Sequence, residues 1–543
     1  MINAAIHDWF DRTIADLFRQ IRWSYLPPLM VYFAAGISGL TAIVGAFFIK
    51  DYLGLSAAFL AGLTFWAGLP WALKMPLGHL VDLIWRWKSI LVYLGSTLIA
   101  LSLAIMYGLI AHTSAMREIM SVEAWYVLST LLAPIGYVVQ DVVADAMTVE
   151  AVPAVDAEGN PHSEDKIKAM HTTMQTLGRF AIISGFLVVA AVNIFMFSGV
   201  EVMTDQEKAN IYARLYLMAL TIPAIAISGV ILNGLIRQQH ALQLRRQGKS
   251  ETQVDEMLFQ SPESTTPNWW IFGGSFAFVV FTLTMGLGNF PLAQEVVFAG
   301  SMAIVVFLIW QLVQALDPAH ARTLVGTAVL IFVFRAMPLP GAGVTWFEID
   351  VLRFDQQFLS ILSFISSCLA LIGMVLLRPL MATRSIAFIV ALLTIAAAIL
   401  SLPNIGLYYG LHHWTAAWTS GIVDARFIAI IDTMMESPLG QIAMIPMLAW
   451  IAKNAPANLK ATFFAVMASF TNLALSASSL ATKYLNEIFV VTREVKDRAT
   501  GEVTTAADYS ELGWLLITVA LIALLVPLLT ILIIQNSSIR TDE

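Results

Sequence analysis

The chain has 543 residues, of which 58% are hydrophobic and only 12% are charged. A soluble domain carries about 25% charged residues, so this sequence cannot coat the surface of several soluble domains. The composition is typical of a polytopic membrane protein and excludes soluble enzymes, nucleic-acid-binding proteins and disulfide scaffolds. The net charge of -7 comes from no single acidic run and indicates no charged partner. The single cysteine, Cys368, excludes an intrachain disulfide.

Residues 1–25 are predicted to form an amphipathic helix on the cytoplasmic membrane surface. Aspartate and arginine residues interrupt this segment, so it lacks the apolar region of a cleavable signal peptide. A loosely ordered cytoplasmic tail is the alternative. The apolar residues at helical spacing are Ile6, Phe10, Ile14, Leu17, Phe18 and Ile21.

Fourteen apolar segments are long enough to cross a membrane, which takes about 20 helical residues. They predict an all-α polytopic protein with two six-helix halves, 26–236 and 318–543, and two additional central helices within 268–317. The polar segment 237–267 is predicted to be a cytoplasmic linker. The central pair also fits one re-entrant hairpin. The predicted spans are 26–49, 56–76, 89–111, 123–148, 172–197, 211–236, 268–290, 294–316, 323–347, 356–377, 385–403, 427–452, 459–482 and 512–535.

Fourteen spans place both termini on one side of the membrane. With the termini inside, 16 of the 30 lysine and arginine residues lie in inner segments, nine in outer segments and five within spans. Four of the outer nine lie in one long loop, 483–511, and long loops weigh little in the positive-inside rule. We therefore predict cytoplasmic termini, in a bacterial inner membrane.

The sequences that begin at Tyr25 and at Thr323 follow the same plan. Each has a helix interrupted by small or proline residues, a short outer loop, a second helix, a tight basic inner loop and a third helix. Parallel six-helix repeats with a binding site near the midplane are the plan of major-facilitator transporters.

The inner loop after the second span, with the sequence GHLVDLIWRWK, resembles the major-facilitator loop signature at Gly78, Asp82, Arg86 and Lys88. Glycine permits close helix approach, and the basic pair anchors the cytoplasmic face. We interpret these four residues as a gating loop, with an ordinary positive-inside loop as the alternative. The signature has glycine where this chain has Trp85.

Four further segments carry specific motifs: Pro70–Gly78 (PWALKMPLG), Asp141–Glu150 (DVVADAMTVE), Phe334–Pro338 (FRAMP) with Trp346 and Phe347, and Gln441–Met447 (QIAMIPM). These segments resemble those of the folate–biopterin transporter family of the major facilitator superfamily. The resemblance covers most of the chain. It implies secondary transport of a folate- or pterin-like small organic anion, coupled to protons, by alternating access.

Two other functions stay open. Gln140 and Asp141 also fit an element of major-facilitator permeases for muropeptides, so a peptide-like solute is the alternative cargo. A non-transporting receptor or an intramembrane enzyme has less support, because no signalling domain, zinc-ligand spacing or nucleophile–base pair is present. We expect a monomer without cofactor, metal or nucleic acid, whose partners are the anion, protons and membrane lipid.

Acidic residues inside the spans are candidates for proton coupling, because a charge at the bilayer centre costs about 2.5–3.5 kcal/mol and calls for a function. Asp141 and Asp145 lie four residues apart on one face of the fourth span, and two close carboxylates favour proton uptake. Asp145 also fits a structural pair with Arg86. Asp432 and Glu436 repeat the spacing on the twelfth span, where Asp432 could reach water outside and the deeper Glu436 is assigned to substrate.

Lys74, Arg179 and Arg335 are the intramembrane cations and are predicted to bind the anion. Lys74 and Arg179 lie near the inner ends of their spans, where reaching out to water is the alternative. Arg335 is about twelve residues into its span and is followed by Pro338, which frees backbone carbonyls. Because arginine can bind a carboxylate through two parallel hydrogen bonds, Arg335 is the main candidate.

The orientation can be tested without knowing the substrate. A reporter enzyme that works only in the cytoplasm should be active when fused after Thr266 and inactive when fused within 485–508. Whole-cell activity, normalised to the amount of fusion protein on immunoblots, gives the result. The reverse pattern would contradict the helix count and the placement of Asp141 in the inner half of the membrane.

Overall fold

The computed structural model is almost entirely helical over the residues it describes. The predicted amphipathic helix of residues 1–25 lies almost wholly outside the described residues. The segment Gln441–Met447 lies wholly outside them. The described residues are 22–52, 55–72, 74–152, 163–254, 269–288, 290–314, 318–376, 384–437, 439, 460–496 and 503–541.

The helices described before the predicted central pair are α1 (Leu26–Ile37), α2 (Ala42–Tyr52), α3 (Ala57–Ala72), α4 (Lys74–Leu83), α5 (Ser89–Ala111), α6 (Thr113–Ile119), α7 (Val122–Ala151), α8 (Glu164–Met196), α9 (Asp205–Ala219) and α10 (Thr221–Arg246). We call residues 26–236 the first half. α10 continues to Arg246, which lies inside the predicted linker.

The remaining helices are α11 (Trp269–Leu287), α12 (Ala293–Gln314), α13 (Pro318–Arg335), α14 (Ala342–Asp350), α15 (Gln356–Leu376), α16 (Ile386–Tyr408), α17 (Leu411–Trp418), α18 (Ala425–Glu436), α19 (Lys460–Ile488) and α20 (Leu512–Gln535). We call residues 318–543 the second half. A short antiparallel hairpin, β1 (Val495–Lys496) and β2 (Val503–Thr505), lies in the long loop before α20.

Eight helical segments of the described residues are each long and apolar enough to cross a membrane. All fourteen predicted spans overlap a helix. Several of them extend into residues outside the described ranges, so the count of fourteen and the division into halves stay predictions. The eight segments are Trp23–Phe48, Ser89–Ala111, Val122–Ala151, Thr176–Met196, Gln206–Arg246, Gln356–Gly373, Ile386–Tyr408 and Leu512–Gln535.

Glycines bring the helices of the first half close together. α1 and α8 cross at Gly36 and Gly185, where a Cβ atom on Gly36 would lie 2.1 Å from the carbonyl oxygen of Ile182. α5 and α7 cross at Gly95 and Gly136, where a Cβ on either glycine would lie 2.6 Å from the carbonyl oxygen of the other. Lipid provides no hydrophobic drive between helices, so close backbone packing of this kind holds them together.

The first and ninth predicted spans are both interrupted. In the first, a 3-10 turn at Ser38–Thr41 separates α1 from α2. In the ninth, which opens the second half, residues 336–341 leave the helical conformation between α13 and α14, and Gly341 has a φ of +80° that favours glycine. The corresponding spans of the two predicted repeats therefore share a break.

Two helix pairs join the halves: α3 packs on α19, and α8 packs on α15. By the predicted order of spans, α3 and α15 belong to the second span of their halves, whereas α8 and α19 belong to the fifth. Exchanging the halves therefore converts one pair into the other, which is the relation expected of parallel repeats.

The halves also meet at the end of the bundle that we predict to face outward. Ala57 of α3 belongs to one buried cluster with Trp346 of α14 and Val491. Nearby, the Gln356 side chain of α15 donates a buried hydrogen bond of 2.6 Å to the Tyr212 hydroxyl of α9. These contacts close the bundle at that end.

The helix pair α11 and α12 is attached to both halves through α12, which packs on α3 and on α19. The Gln294 side chain donates to the carbonyl oxygen of Gly62 at 3.2 Å. Glu295 accepts a hydrogen bond from the Tyr484 hydroxyl and lies 3.1 Å from Lys483 Nζ. Polar contacts to α3 and α19 therefore fix the position of α12.

The contact between Tyr212 and Gln356 predicts a cross-link. With Cys368→Ser as the background, Tyr212→Cys and Gln356→Cys should be joined by a short bifunctional thiol reagent, detected by mass spectrometry of the linked peptides. The control combines Tyr212→Cys with Ser537→Cys, which lies beyond α20 at the opposite end of the bundle. Equal cross-linking of both pairs, or none of the first, would contradict the closed outer end.

Candidate functional site

Lys74 lies between two carboxylates of α7. Its Nζ is 2.6 Å from Asp141 Oδ2 and 2.6 Å from Asp145 Oδ2. The two aspartates are about one helical turn apart, so both face the start of α4, where Lys74 lies. Tyr32 of α1 donates its hydroxyl to Asp145 Oδ1 at 2.6 Å. Three helices thus meet in one group of four side chains, which we call the lysine cluster.

The lysine cluster is partly open to water. The side chain of Asp141 is 20% exposed, that of Lys74 is 26% exposed and that of Asp145 is 45% exposed. Tyr32 is buried, and a Cβ atom on Gly178 of α8 would lie 2.9 Å from its ring. Glycine at that position therefore lets α8 approach the cluster closely, while Asp145 stays in reach of water.

One arginine lies beside the lysine cluster, and a second, from the other half, lies near the first. Arg179 of α8 acts electrostatically on Asp141 and on Arg335, the last residue of α13. The Arg335 Nε is buried and has no hydrogen-bond partner among the described residues. Two guanidinium groups that repel each other, one of them with an unsatisfied buried donor, favour an anion between them.

Polar side chains of α19 hold the broken backbone next to Arg335. Irregular backbone inside a membrane needs such partners, because no water is there to satisfy it. The α19 residues are Ser478, Thr482 and Asn486, which recur every four positions on one face of the helix. This spacing is visible in the sequence and could have identified them. The bonds run from Ser478 Oγ to the oxygen of Met337 (2.6 Å), from Leu339 N to Thr482 Oγ1 (2.9 Å) and from Asn486 Nδ2 to the oxygen of Pro340 (3.2 Å).

The second half contains a separate group of carboxylates, Glu348, Asp432 and Glu436, which we call the acidic cluster. Asp432 of α18 is only 7% exposed, and its Oδ2 accepts a hydrogen bond of 3.0 Å from Asn404 Nδ2 of α16. Glu436, at the end of α18, is exposed. Asp432, which faces α16, is therefore the more buried of the two, and the greater depth of Glu436 in the membrane stays a prediction.

The sequence did not single out Glu348, because the ninth predicted span ends at residue 347. The non-helical residues 336–341 extend this span, so α14 reaches Asp350 and Glu348 belongs to it. Glu348 is close enough to Asp432 for the two carboxylates to interact electrostatically. Within the described part of the chain, no three histidine, cysteine or carboxylate side chains are grouped closely enough to hold a metal ion.

Lys88 of the predicted gating loop belongs to an ion network at the inner end of the first half. It is 1% exposed and pairs with Glu150, at the end of α7. Arg237 of α10 lies 3.5 Å from the same carboxylate. Lys88 Nζ also lies 3.8 Å from the ring centroid of Trp85, which is buried. The tryptophan that replaces the usual glycine therefore packs against the loop lysine.

The other residues of the predicted loop have different surroundings. A Cβ atom on Gly78 would meet no described atom within 4 Å, so the expected close helix approach at this glycine is absent from the described residues. Arg86 is exposed, and the ion pair that the structure gives Asp145 is with Lys74. The side chain of Asp82 lies outside the described residues.

Removing the lysine should destabilise the first half. Lys74→Met leaves two carboxylates without their shared counter-ion, and we expect the free energy of unfolding to fall by about 1–3 kcal/mol, less than for a fully buried pair because Asp145 is half exposed. Thermal unfolding of the purified protein measures the loss.

Two further variants serve as controls for this prediction. Adding Asp145→Asn to Lys74→Met should restore part of the stability, because one repulsive charge is gone. Glu251→Gln breaks the exposed ion pair with Arg245 and should change stability by less than about 0.5 kcal/mol. A loss in Lys74→Met no larger than in Glu251→Gln would contradict the structural importance of the lysine cluster.

Comparison with known proteins agrees with this architecture. The chain is 22% identical over 456 residues to a folate-biopterin transporter from Synechocystis sp., covering 83% of this chain and 72% of that protein. Its fold is similar to a POT family transporter crystallised with 5-aminolevulinic acid (TM-score 0.61, 11% identity, 95% of this chain and 96% of that chain). It is also similar to the nucleoside transporter NupG (TM-score 0.51, 11% identity, 95% and 100%).

These similarities confirm the fold class predicted from the sequence, an all-α integral membrane protein of the major-facilitator type. The sequence profile of the BT1 family matches residues 35–543, which is most of the chain. The chain is therefore a membrane transporter that belongs to the BT1 family.

Proposed function

We propose that the protein is a proton-coupled secondary transporter of a folate- or pterin-like small organic anion. The observation that carries the proposal is the position of Arg335, a half-buried residue whose Nε is buried, beside a broken helix and close to Arg179 of the other half. The folate-biopterin transporter from Synechocystis sp., which covers most of this chain, supports the substrate class.

The charges around the two arginines favour an anion. Lys74 and Arg179 balance the charges of Asp141 and Asp145, so this group has no net charge when both carboxylates are ionised. Arg335 adds a positive charge, and it forms no ion pair with any described residue. An anionic substrate would supply the missing negative charge and the missing acceptor for Arg335 Nε.

The lysine cluster suggests how protons and the anion are coupled. When a proton binds to Asp141 or Asp145, one negative charge is lost, and Lys74 becomes available to the substrate. The local net charge rises by one, so the site attracts the anion more strongly when it is protonated. Asp145, which water can reach, is the entry point for the proton, and Asp141 is the more shielded carboxylate.

The alternative cargo, a muropeptide or another peptide-like solute, receives no added support from Gln140. This side chain is buried in the contact between α5 and α7, where it donates to Ser96 Oγ at 2.7 Å. Its chemistry is therefore explained by helix packing. We further propose that the bundle works as a monomer in a bacterial inner membrane and that its halves rock about the contact of α3 with α19 and of α8 with α15.

Two classes of variant separate coupling from binding, with folic acid as the probe in proteoliposomes. Asp141→Asn should keep equilibrium counterflow but lose accumulation driven by a pH gradient, because the coupling charge is gone. Arg335→Ala should lose both, and Arg335→Lys should recover only part, because a point charge replaces a planar fork. Counterflow and gradient-driven uptake are measured side by side.

The control for these assays is Glu251→Gln, which should behave like the parent in both. If Asp141→Asn still accumulates folic acid like the parent, the coupling role of the lysine cluster is wrong. If the parent binds muropeptides but not folic acid in a thermal-stability screen, the peptide alternative replaces the substrate proposed above.

A further inference from the structure

The two halves balance their buried charges in different ways. In the lysine cluster the protein supplies its own cations, Lys74 and Arg179. In the acidic cluster of the second half, the charged groups that act on one another are all carboxylates. Asp432 acts on Glu348, and Glu436 acts on Asp432. A buried carboxylate is costly unless a cation or a proton neutralises it.

The other charged groups near α14 are engaged elsewhere. Asp350, at the end of α14, accepts a hydrogen bond of 2.6 Å from the Tyr509 hydroxyl. Arg493 lies over the ring of Trp346, 5.2 Å from its centroid, and acts on Tyr509. Asp355, the residue before α15, is paired with Arg426 at 2.7 Å, and α3 carries no charged residue. No described cation is therefore paired with Glu348 or Asp432.

The geometry of Asp432 points to a missing ligand. The residue is 7% exposed and its Oδ2 is bonded to Asn404, yet Oδ1 is buried without any hydrogen-bond partner among the described residues. An ionised carboxylate oxygen left in this state loses its hydration without compensation. A proton or a small cation at Oδ1 would remove that cost.

A small cavity lies beside Glu348 and beside Asn404, the hydrogen-bond partner of Asp432. It has a volume of about 10 Å³, about the space that one water molecule needs, and Glu348 and Asn404 are among its lining residues. The other lining residues are apolar: Val344, Phe347, Leu352, Leu407, Leu512 and Leu516. The cavity is thus large enough for one small ion or one water and offers a carboxylate and an amide to it.

We propose that Glu348, Asn404 and Asp432 form a binding site for one monovalent cation, either a proton or Na⁺. The site lies in the second half, on three helices, α14, α16 and α18, and it is distinct from the lysine cluster. One bound cation lowers the net charge of the two carboxylates from -2 to -1. Its use as a second coupling site rests on the transport function proposed above, but binding of the cation does not.

The cation can be detected on the purified protein without substrate. If it is Na⁺, the unfolding temperature should be several degrees higher in NaCl than in choline chloride or KCl at equal ionic strength. If it is a proton, the parent at neutral pH without Na⁺ should show an infrared carbonyl band of a protonated carboxyl group. Glu348→Gln and Asp432→Asn should each remove whichever signal the parent gives, and Glu348→Asp should keep it.

The matched control is Asp355→Asn, a carboxylate of the same half whose counter-ion is Arg426 of the protein itself. It should retain the signal. Absence of both signals in the parent, or their persistence in Glu348→Gln and Asp432→Asn, would overturn the proposal. Folic acid counterflow in the parent separates the two proposals. If counterflow occurs but neither signal appears, the proposed transport function stands and the cation site is ruled out. If a signal appears but counterflow does not, the cation site stands and transport of folic acid is ruled out.

Discussion

The ion bridge from Lys74 to Asp141 and Asp145 is the interaction on which the first half depends. Two carboxylates one turn apart in a medium of low dielectric repel each other by about 4 kcal/mol at an effective dielectric constant of 20 and a separation of about 4 Å. A single ammonium 2.6 Å from both turns this repulsion into attraction. Because the lysine is on α4 and the aspartates are on α7, satisfying the charges also fixes two helices against each other.

The second half solves a similar electrostatic problem without a lysine. Asp432 occupies a position comparable to that of the first-half aspartates in chain order, but it has an amide, Asn404, as its described partner. The described part of the protein is therefore electrically asymmetric: Lys74 and Arg179 act on the carboxylates of the first half, and no described cation is paired with Glu348 or Asp432 of the second. An asymmetric charge distribution of this kind gives a transporter two chemically different places at which a solute or an ion can change the energy of a conformation.

The sequence predicts the fold class because hydrophobic length and charge placement dominate membrane insertion. It also predicts that Asp141 and Asp145 face the same way, because helical spacing places both on one face, but it does not predict that Lys74 is their shared partner. It does not predict that Glu348 belongs to a span, because a broken helix uses more residues than a straight one before it reaches the membrane surface. Nor does spacing reveal that Asp432 is more buried than Glu436, because burial depends on which neighbouring helix each side chain faces.

The broken ninth span connects the two sites mechanically. Arg335 ends α13 before the break and Glu348 lies on α14 after it, so residues 336–341 determine how the two side chains are oriented to each other. Hydrogen bonds from α19 hold these residues. α19 also touches the first half, where Asn472 Nδ2 donates to the oxygen of Trp71 at 3.2 Å, three residues before Lys74. When α19 moves relative to α3, residues 336–341 must therefore either move with α19 or lose their hydrogen bonds to it. Either change alters the positions of Arg335 and Glu348 together.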